Sequence, residues 1–193
     1  IDKATSLASG KARSTSMTFR AEAMRIGGER LTRGRVIEVF DPYAAVCIGT
    51  VPMASVDDVR HAFEIAQAFK PRLSRYQRSE ILRKSADIVS ARSEQIAQLI
   101  TLESGLCLKD SLYEAGRVRD VLQFGANEVL RDDGDIFSCD ITPHGRQRRV
   151  FTQRDPLMGV ICAITPFNHP MNQVAHKVVP AIATNNRMVL KPS

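Results

Sequence analysis

The stretch that decides the fold is PLMGVICAITPFNHPMNQVAHKVVPAIATNNRMVLKPS, which runs from Pro156 to Ser193. It contains two continuous apolar runs, Val160 to Ile164 and Met188 to Leu190. Between them, the segment from about Pro170 to Thr184 has the apolar spacing of a helix. Apolar strands joined by a crossover helix are typical of a buried parallel sheet. We therefore predict an α/β fold in which this segment forms strand, helix and strand.

The carboxyl ends of the two predicted strands carry the residues of a candidate dinucleotide site. In open α/β sheets, ligands bind beyond these strand ends. The segments concerned are Ile164-Thr165-Pro166-Phe167-Asn168 and Lys191-Pro192-Ser193. A lysine at such a position can bind ribose hydroxyls or phosphate through charge-assisted hydrogen bonds, although a solvated strand end is the alternative for Lys191. The glycine fingerprint G-x-G-x-x-G of ordinary Rossmann dehydrogenases is absent.

The remaining strand patterns predict two β-hairpins. Val36 to Val39 and Val46 to Ile48 are β-branched runs that flank the turn Asp41-Pro42-Tyr43-Ala44, and Pro52 closes the hairpin. The second hairpin spans residues 136–154, with strands at 136–141 and 149–153. Residues 1–18 are rich in Ser, Thr and Lys without periodicity, so we interpret them as a disordered leader.

Three helical segments are predicted between the hairpins. The first follows an N-cap at Ser55 and ends at Lys70-Pro71. The second begins near Ser74 and continues through Leu102, and the third runs from about Leu108 to Leu130. The inward positions of the third helix are Leu112, Ala115, Val118, Val121, Leu122 and Ala126.

Composition bounds the class of protein. The 193 residues are 44% hydrophobic, which is enough for a globular core, and no run is long enough to span a membrane or resembles a signal peptide. We therefore expect a cytoplasmic protein. The net charge of +6 is compatible with a nucleic-acid binder, but the basic residues are spread along the chain, so we expect neither nucleic acid nor a membrane as a partner. Cys47, Cys107, Cys139 and Cys162 are scattered, so we predict reduced thiols and no metal site.

The strand-helix-strand segment closely resembles the aldehyde dehydrogenase superfamily. The shared motifs are a P-x-G-V strand, an I-T-P-F/W-N-x-P turn, a helix with H-K-x-x-P-A and a final V-x-K-P-S, in this order. The resemblance covers roughly residues 30–193 and implies a partial, Rossmann-like NAD(P)-binding domain over residues 19–193, with the catalytic domain absent. It also implies that the 136–154 hairpin supplies oligomerisation strands of a homodimer or homotetramer.

The resemblance assigns chemistry to several residues. It implies that Lys191 binds the adenine ribose of NAD or NADP and that Asn168 donates a hydrogen bond to the oxyanion formed from the aldehyde. A fixed amide donor stabilises such a charge, whereas the alternative for Asn168 is a turn-forming residue. Lys177 corresponds to a second family lysine near the nicotinamide, where it could relay a proton. We interpret the neighbouring His176 as a packing and hydrogen-bonding residue.

Two residues are candidates for binding the substrate. His169 stands where many family members have an aromatic residue, so it either replaces that residue structurally or donates to an anionic group. Arg117, on the third helix, either clamps such an anion or is a solvated helix residue. The motifs P-F-N-H-P, N-Q-V-A-H-K and A-I-A-T-N-N-R-M-V most closely resemble phosphonoacetaldehyde dehydrogenases. Lactaldehyde, glycolaldehyde and succinate semialdehyde remain compatible small-aldehyde substrates.

The family's reaction needs a nucleophilic cysteine and a glutamate that activates water. The resemblance places both downstream of K-P-S, and none of the four cysteines matches the nucleophile's motif. We therefore expect this chain alone to be inactive, and the choice between NAD and NADP is not readable. A non-catalytic nucleotide-binding or interaction module derived from the same fold is the competing interpretation.

Overall fold

The computed structural model of the chain describes residues 19–131 and 134–193. The predicted leader over residues 1–18 lies outside these ranges, as do Asp132 and Asp133. In chain order the elements are β1 (Arg20–Ala21), β2 (Met24–Ile26), β3 (Glu29–Leu31), β4 (Val36–Phe40), β5 (Cys47–Pro52), α1 (Val56–Ala68), α2 (Arg75–Ala91), α3 (Ser93–Ser104), α4 (Leu108–Glu128), a 3₁₀ turn (Val129–Arg131), β6 (Ile136–Ser138), β7 (Arg149–Phe151), β8 (Ile161–Ile164), α5 (Pro170–Ala183) and β9 (Met188–Lys191). This mixture of helices and strands confirms the predicted α/β class.

The strands β8 and β9 lie side by side and run parallel, as the two apolar runs predict. The helix α5 connects them and spans almost the predicted range. The expected burial of the strands is only partly correct, because Ala163 is buried whereas Cys162 and Ile164 are exposed. Within the described residues β8 and β9 form a two-stranded sheet, so each strand has one edge without a strand partner.

The loop before β9 is bound to the loop before β8. The Asn186 side-chain oxygen accepts a hydrogen bond from the Leu157 amide at 2.7 Å. Arg187 donates through Nη2 to the carbonyl oxygens of Leu157 at 3.1 Å and Met158 at 2.6 Å, and through Nη1 to that of Gln67 at 3.1 Å. These bonds satisfy loop carbonyls and hold the amino-terminal ends of the two strands together.

The main hydrophobic core lies between α2, α4 and α5. Its buried residues are Leu82, Ala86, Val89, Val118, Leu122, Ala126, Ala175 and Val179. The helices α4 and α5 approach closely at Gly125, where a Cβ atom would lie 2.3 Å from Cγ1 of Val179. This contact fixes the position of α5, the helix that leads out of the candidate site.

Both predicted hairpins are present. β4 and β5 pair antiparallel, and the Asp41 carboxylate accepts from the Tyr43 and Ala44 amides at 2.8 Å and 3.2 Å to hold the turn between them. β6 and β7 also pair antiparallel, but each strand is shorter than its predicted range. The residues of β6 and β7 are exposed on both faces of the hairpin.

Several local features differ from the sequence-based expectation. The predicted second helix is two helices, α2 and α3, because the chain leaves helical geometry at Arg92 (φ −111°, ψ 14°). Leu112, expected to face inward, is 40% exposed. The short strands β1 to β3 were not predicted, since they are rich in charged residues and lack alternation. Among them, β2 and β3 form a hairpin whose turn needs positive φ at both Gly27 and Gly28.

The first turn of α1 is held by a buried carboxylate, whereas its apolar residues are exposed. Val56 and Val59 are 66% and 45% exposed, whereas Asp58 is buried. The Asp58 carboxylate accepts from the Ser55 amide and hydroxyl, both at 2.9 Å, and forms an ion pair with Arg33 at 2.5 Å. The capping box at Ser55 is thus joined to the segment between β3 and β4.

A first prediction concerns the close approach of α4 and α5. Gly125→Ala should destabilise the protein by about 1–3 kcal/mol, because the added methyl group overlaps Val179 in a packed core. Gly116→Ala on the same helix is the matched control, since no atom lies within 4 Å of its Cβ position. The control should stabilise by about 0.5–1 kcal/mol through helix propensity. Chemical denaturation measures both, and equal shifts for the two variants would contradict the packing argument.

A second prediction concerns acid stability. Hydrogen bonds from Arg33 and then from Ser55 hold the pKa of Asp58 well below its ordinary range. Because the folded-state pKa is depressed, the stabilisation is fully present above about pH 4 and is lost as the pH falls toward the folded-state pKa. Unfolding at a series of pH values should therefore show a stability gap between wild type and Asp58→Asn that narrows below pH 4. The exposed neighbour Asp57, changed to Asn, should leave the pH dependence unchanged.

Candidate functional site

The two segments predicted to form the site leave the β8–β9 sheet at the same edge. Ile164, the last residue of β8, is in register with Lys191, the last residue of β9. The Thr165 amide donates to the Lys191 carbonyl at 3.2 Å, which extends the pairing one residue beyond β8. The turn after β8 and the segment after β9 therefore begin next to each other.

The side chains at this edge are largely open to solvent. Ile164 is 68% exposed and Phe167 is 80% exposed, and the other exposed residues are Pro166, Asn168, Lys191, Pro192 and Ser193. Thr165 differs, because it is buried and its hydroxyl oxygen has no hydrogen-bond partner within the described ranges. A buried hydroxyl without a partner is unusual in a folded protein.

This combination fits a hydroxyl-rich, anionic cofactor. The Lys191 ammonium supplies a cation at the open edge, and the Thr165 hydroxyl in the turn after β8 is a buried polar group without a partner in the described residues. Ribose hydroxyls and phosphates are bound by such donors, and the carboxyl ends of parallel strands are where nucleotides bind in α/β sheets. Lys191 is thus the residue at this edge that would hold the ribose or phosphate of a dinucleotide, whereas the Thr165 hydroxyl is buried.

The turn between β8 and α5 carries Asn168 and His169. Asn168 is exposed, and His169 is the N-cap residue of α5, with φ −141° and ψ 77°. Its side chain is 40% exposed, and its Nδ1 atom lies 3.3 Å from Oε2 of Glu114 on α4. His169 is therefore held at the border between the open edge and the helical core.

Glu114 was not assigned in the sequence-based analysis. Its side chain is 1% exposed, and its Oε1 atom accepts from the amides of Met171 and Asn172 at 2.8 Å and 2.9 Å. A signal for this contact exists in the sequence. Glu114 falls in the same helical stripe as Ala115 and Val118, and a charged residue on a buried face needs a partner.

Arg117 and Lys177 both lie on the helices that flank this turn. Arg117 follows Glu114 by one helical turn, so the two residues share a face of α4. The Arg117 side chain is exposed and its guanidinium lies 5.9 Å from the centre of the Tyr113 ring. Lys177 is exposed on α5. His176 is also exposed, so its interpretation as a packing residue is wrong.

Among residues 19–131 and 134–193, no group of three or more His, Cys, Asp or Glu residues is arranged to hold a metal ion. No helix in the described part of the chain is long and apolar enough to cross a membrane. The four cysteines are free thiols, with Cys107 and Cys162 exposed and Cys47 and Cys139 half-buried.

Comparison with known proteins gives relatives over most of the chain. A 3-sulfolactaldehyde dehydrogenase from Priestia aryabhattai is 36% identical over 181 residues, which are 93% of this chain and 38% of that protein. A lactaldehyde dehydrogenase from Methanococcus aeolicus is 36% identical over 173 residues, or 88% of this chain and 36% of that protein. The chain thus spans well under half the length of these relatives.

A solved structure and a family profile agree with these relatives. The NADP complex of the NADP-dependent glyceraldehyde-3-phosphate dehydrogenase from Bacillus halodurans superposes with a TM-score of 0.79 at 31% identity, covering 91% of this chain and 38% of that one. The profile of the Aldehyde dehydrogenase family matches residues 30–193. From its sequence, its fold and these relatives, the chain belongs to the aldehyde dehydrogenase family.

Proposed function

We propose that this chain forms the cofactor-binding part of an NAD(P)-dependent dehydrogenase that oxidises a small anionic aldehyde to the acid. The observation that carries the proposal is the register of Ile164 with Lys191, which brings the T-P-F-N turn and the K-P-S segment to one sheet edge. NAD or NADP, when bound, accepts the hydride from the substrate. The relative crystallised with NADP supports this class of cofactor.

Asn168 is the residue of this chain that we place closest to the reacting atoms. It is exposed in the turn after β8, so its amide is accessible to a bound substrate. As that oxygen gains negative charge, the amide N–H donates a hydrogen bond that strengthens in the transition state. Lys177, on the exposed side of α5, would act as a proton relay in the same site.

The anionic substrate class is supported by two basic residues, His169 in the turn and Arg117 on α4. His169 is held by Glu114 with part of its ring exposed, and Arg117 lies one turn from Glu114 on the same helix. The names of two relatives, a 3-sulfolactaldehyde and a glyceraldehyde-3-phosphate dehydrogenase, denote aldehydes with a sulfonate or a phosphate. Phosphonoacetaldehyde belongs to the same chemical class, whereas lactaldehyde is neutral. A clamp by Arg117 and His169 would therefore favour charged over neutral aldehydes.

We also propose that the β6–β7 hairpin is an oligomerisation element. Ile136 and Phe151, which are directly paired across the hairpin, are 70% and 75% exposed. A two-stranded hairpin with apolar residues exposed on it gains stability when a further surface covers it. A homodimer or homotetramer would supply that surface.

A third prediction tests the proposed activity in the protein as its natural gene produces it. Asn168→Ala should lower kcat about 100- to 1,000-fold and leave NAD(P) binding nearly unchanged, because the donor acts mainly on the transition state. Asn168→Asp keeps the size of the side chain but removes the donor, so it should be equally impaired. Asn127→Ala, on the exposed side of α4, is the control.

The outcome decides between the enzyme and its alternatives. Cofactor-dependent oxidation that is lost in both Asn168 variants would support the dehydrogenase. Specific NAD(P) binding without turnover of any aldehyde would instead support a non-catalytic nucleotide-binding module. Wild-type turnover in Asn168→Ala would contradict the assigned donor.

A fourth prediction tests the substrate class. Arg117→Ala and His169→Ala should each raise KM for sulfonate, phosphonate or carboxylate aldehydes about tenfold or more, because a charge-assisted hydrogen bond is lost. KM for neutral lactaldehyde should change little. Arg119→Ala, two residues along α4 and on another face of the helix, is the matched control. Equal changes for charged and neutral aldehydes would contradict the anion clamp.

A further inference from the structure

The buried carboxylate of Glu114 is satisfied by the beginning of another helix. Its Oε1 atom accepts from the Met171 and Asn172 amides at 2.8 Å and 2.9 Å, and its Oε2 atom lies 3.3 Å from Nδ1 of His169. All three donors belong to the turn or first residues of α5, whereas Glu114 belongs to α4. The contact therefore joins two elements more than 50 residues apart in the sequence.

The helix α5 has no cap of its own that could replace this contact. Its N-cap residue, His169, makes no side-chain capping hydrogen bond, and no acidic residue stands in its first turn. Pro170 at the first helical position has no amide hydrogen, so the next free amides are those of Met171 and Asn172. Glu114 caps both of them from outside the helix. The partial positive charge at a helix N-terminus in turn favours the buried carboxylate.

The same carboxylate fixes the ring of His169. When the Glu114 carboxylate is ionised it can only accept, so the pair then requires the hydrogen on Nδ1 of His169. The ring is thereby held in one orientation, with 40% of the side chain exposed toward solvent. His169 lies between Asn168 and Pro170 in the chain. Glu114 therefore restrains the turn in two ways, through the side chain of His169 and through the first free amides of α5.

We propose that Glu114 is the positioning residue of this site, holding the turn at residues 165–170 so that Asn168 and His169 face the substrate. The proposal rests on the proposed function, because it assumes that Asn168 acts on the aldehyde oxygen. Asn168 is exposed, so its position depends on the backbone that carries it. A donor must lie within about 2.7–3.1 Å of the developing oxyanion, and a shift of roughly 1 Å lowers the rate about 100-fold.

A fifth prediction measures the capping contact without any assay of activity. In Glu114→Ala the amide hydrogens of Met171 and Asn172 should exchange with solvent at least about tenfold faster than in wild type, since they lose their acceptor. Glu114→Gln keeps an oxygen that can accept from both amides and should retain most of the protection. Asp120→Asn, an exposed residue on α4, should leave the exchange unchanged.

The kinetic arm of the same experiment uses the protein as its natural gene produces it. Glu114→Ala should lower kcat about 10- to 100-fold, with the affinity for NAD(P) changed by less than about twofold. Glu114→Gln should lower kcat less than Glu114→Ala does. Its side-chain oxygen can still cap the helix, but its side-chain NH₂ group cannot accept a hydrogen bond from His169. Asp120→Asn should have wild-type kcat.

A double-mutant cycle with Asn168→Ala separates positioning from a purely structural role. If Glu114 acts through Asn168, adding Glu114→Ala to Asn168→Ala should change kcat by less than about twofold. Full additivity of the two losses, or an unchanged kcat per folded molecule in Glu114→Ala, would overturn the positioning role while leaving the donor role of Asn168 intact. If Asn168→Ala itself retains wild-type turnover, the proposed function and the positioning role both fail. Should Glu114→Ala not fold, the Glu114→Gln arm of the cycle gives the same decision.

Discussion

The packing of α5 against α4 is the constraint on which the rest of the structure depends. At Gly125 the two helices come so close that a single methyl group would overlap Val179. Near the other end of α4, Glu114 accepts hydrogen bonds from the start of α5. Because these contacts hold α5 at two levels, they fix where the turn after β8 enters the helix. The packing of the helical core thus determines the geometry of the candidate site.

The structure combines a packed helical core with an open sheet edge. The core of α2, α4 and α5 contains fully buried residues such as Leu82 and Ala126. The edge formed by the ends of β8 and β9 exposes Ile164, Phe167 and Lys191. Binding and catalytic groups are usually found on turns that a rigid scaffold positions, because turns can present side chains that a packed core would bury.

Those parts of the fold and of the candidate site that depend on neighbouring residues could be predicted from the sequence. The apolar runs of β8 and β9, the crossover α5 and both hairpins follow from periodicity and turn residues, and the T-P-F-N and K-P-S motifs located the candidate site. Charged two- or three-residue strands such as β1 have no periodic signal, so they were missed. Likewise, the sequence did not predict that Asp58 is buried whereas Val56 and Val59 are exposed. This burial depends on the ion pair with Arg33, which belongs to a different segment.

The sequence by itself determined the family, the order of the main elements and the candidate site residues, because each depends on short patterns and neighbouring residues. Tertiary structure alone decided which distant groups meet. Glu114 reaches the amides of α5, Arg187 reaches Gln67, and β1 pairs in parallel with β5. The physical reason is that a hydrogen bond between remote residues depends on how whole helices and strands pack, and no local propensity encodes that distance.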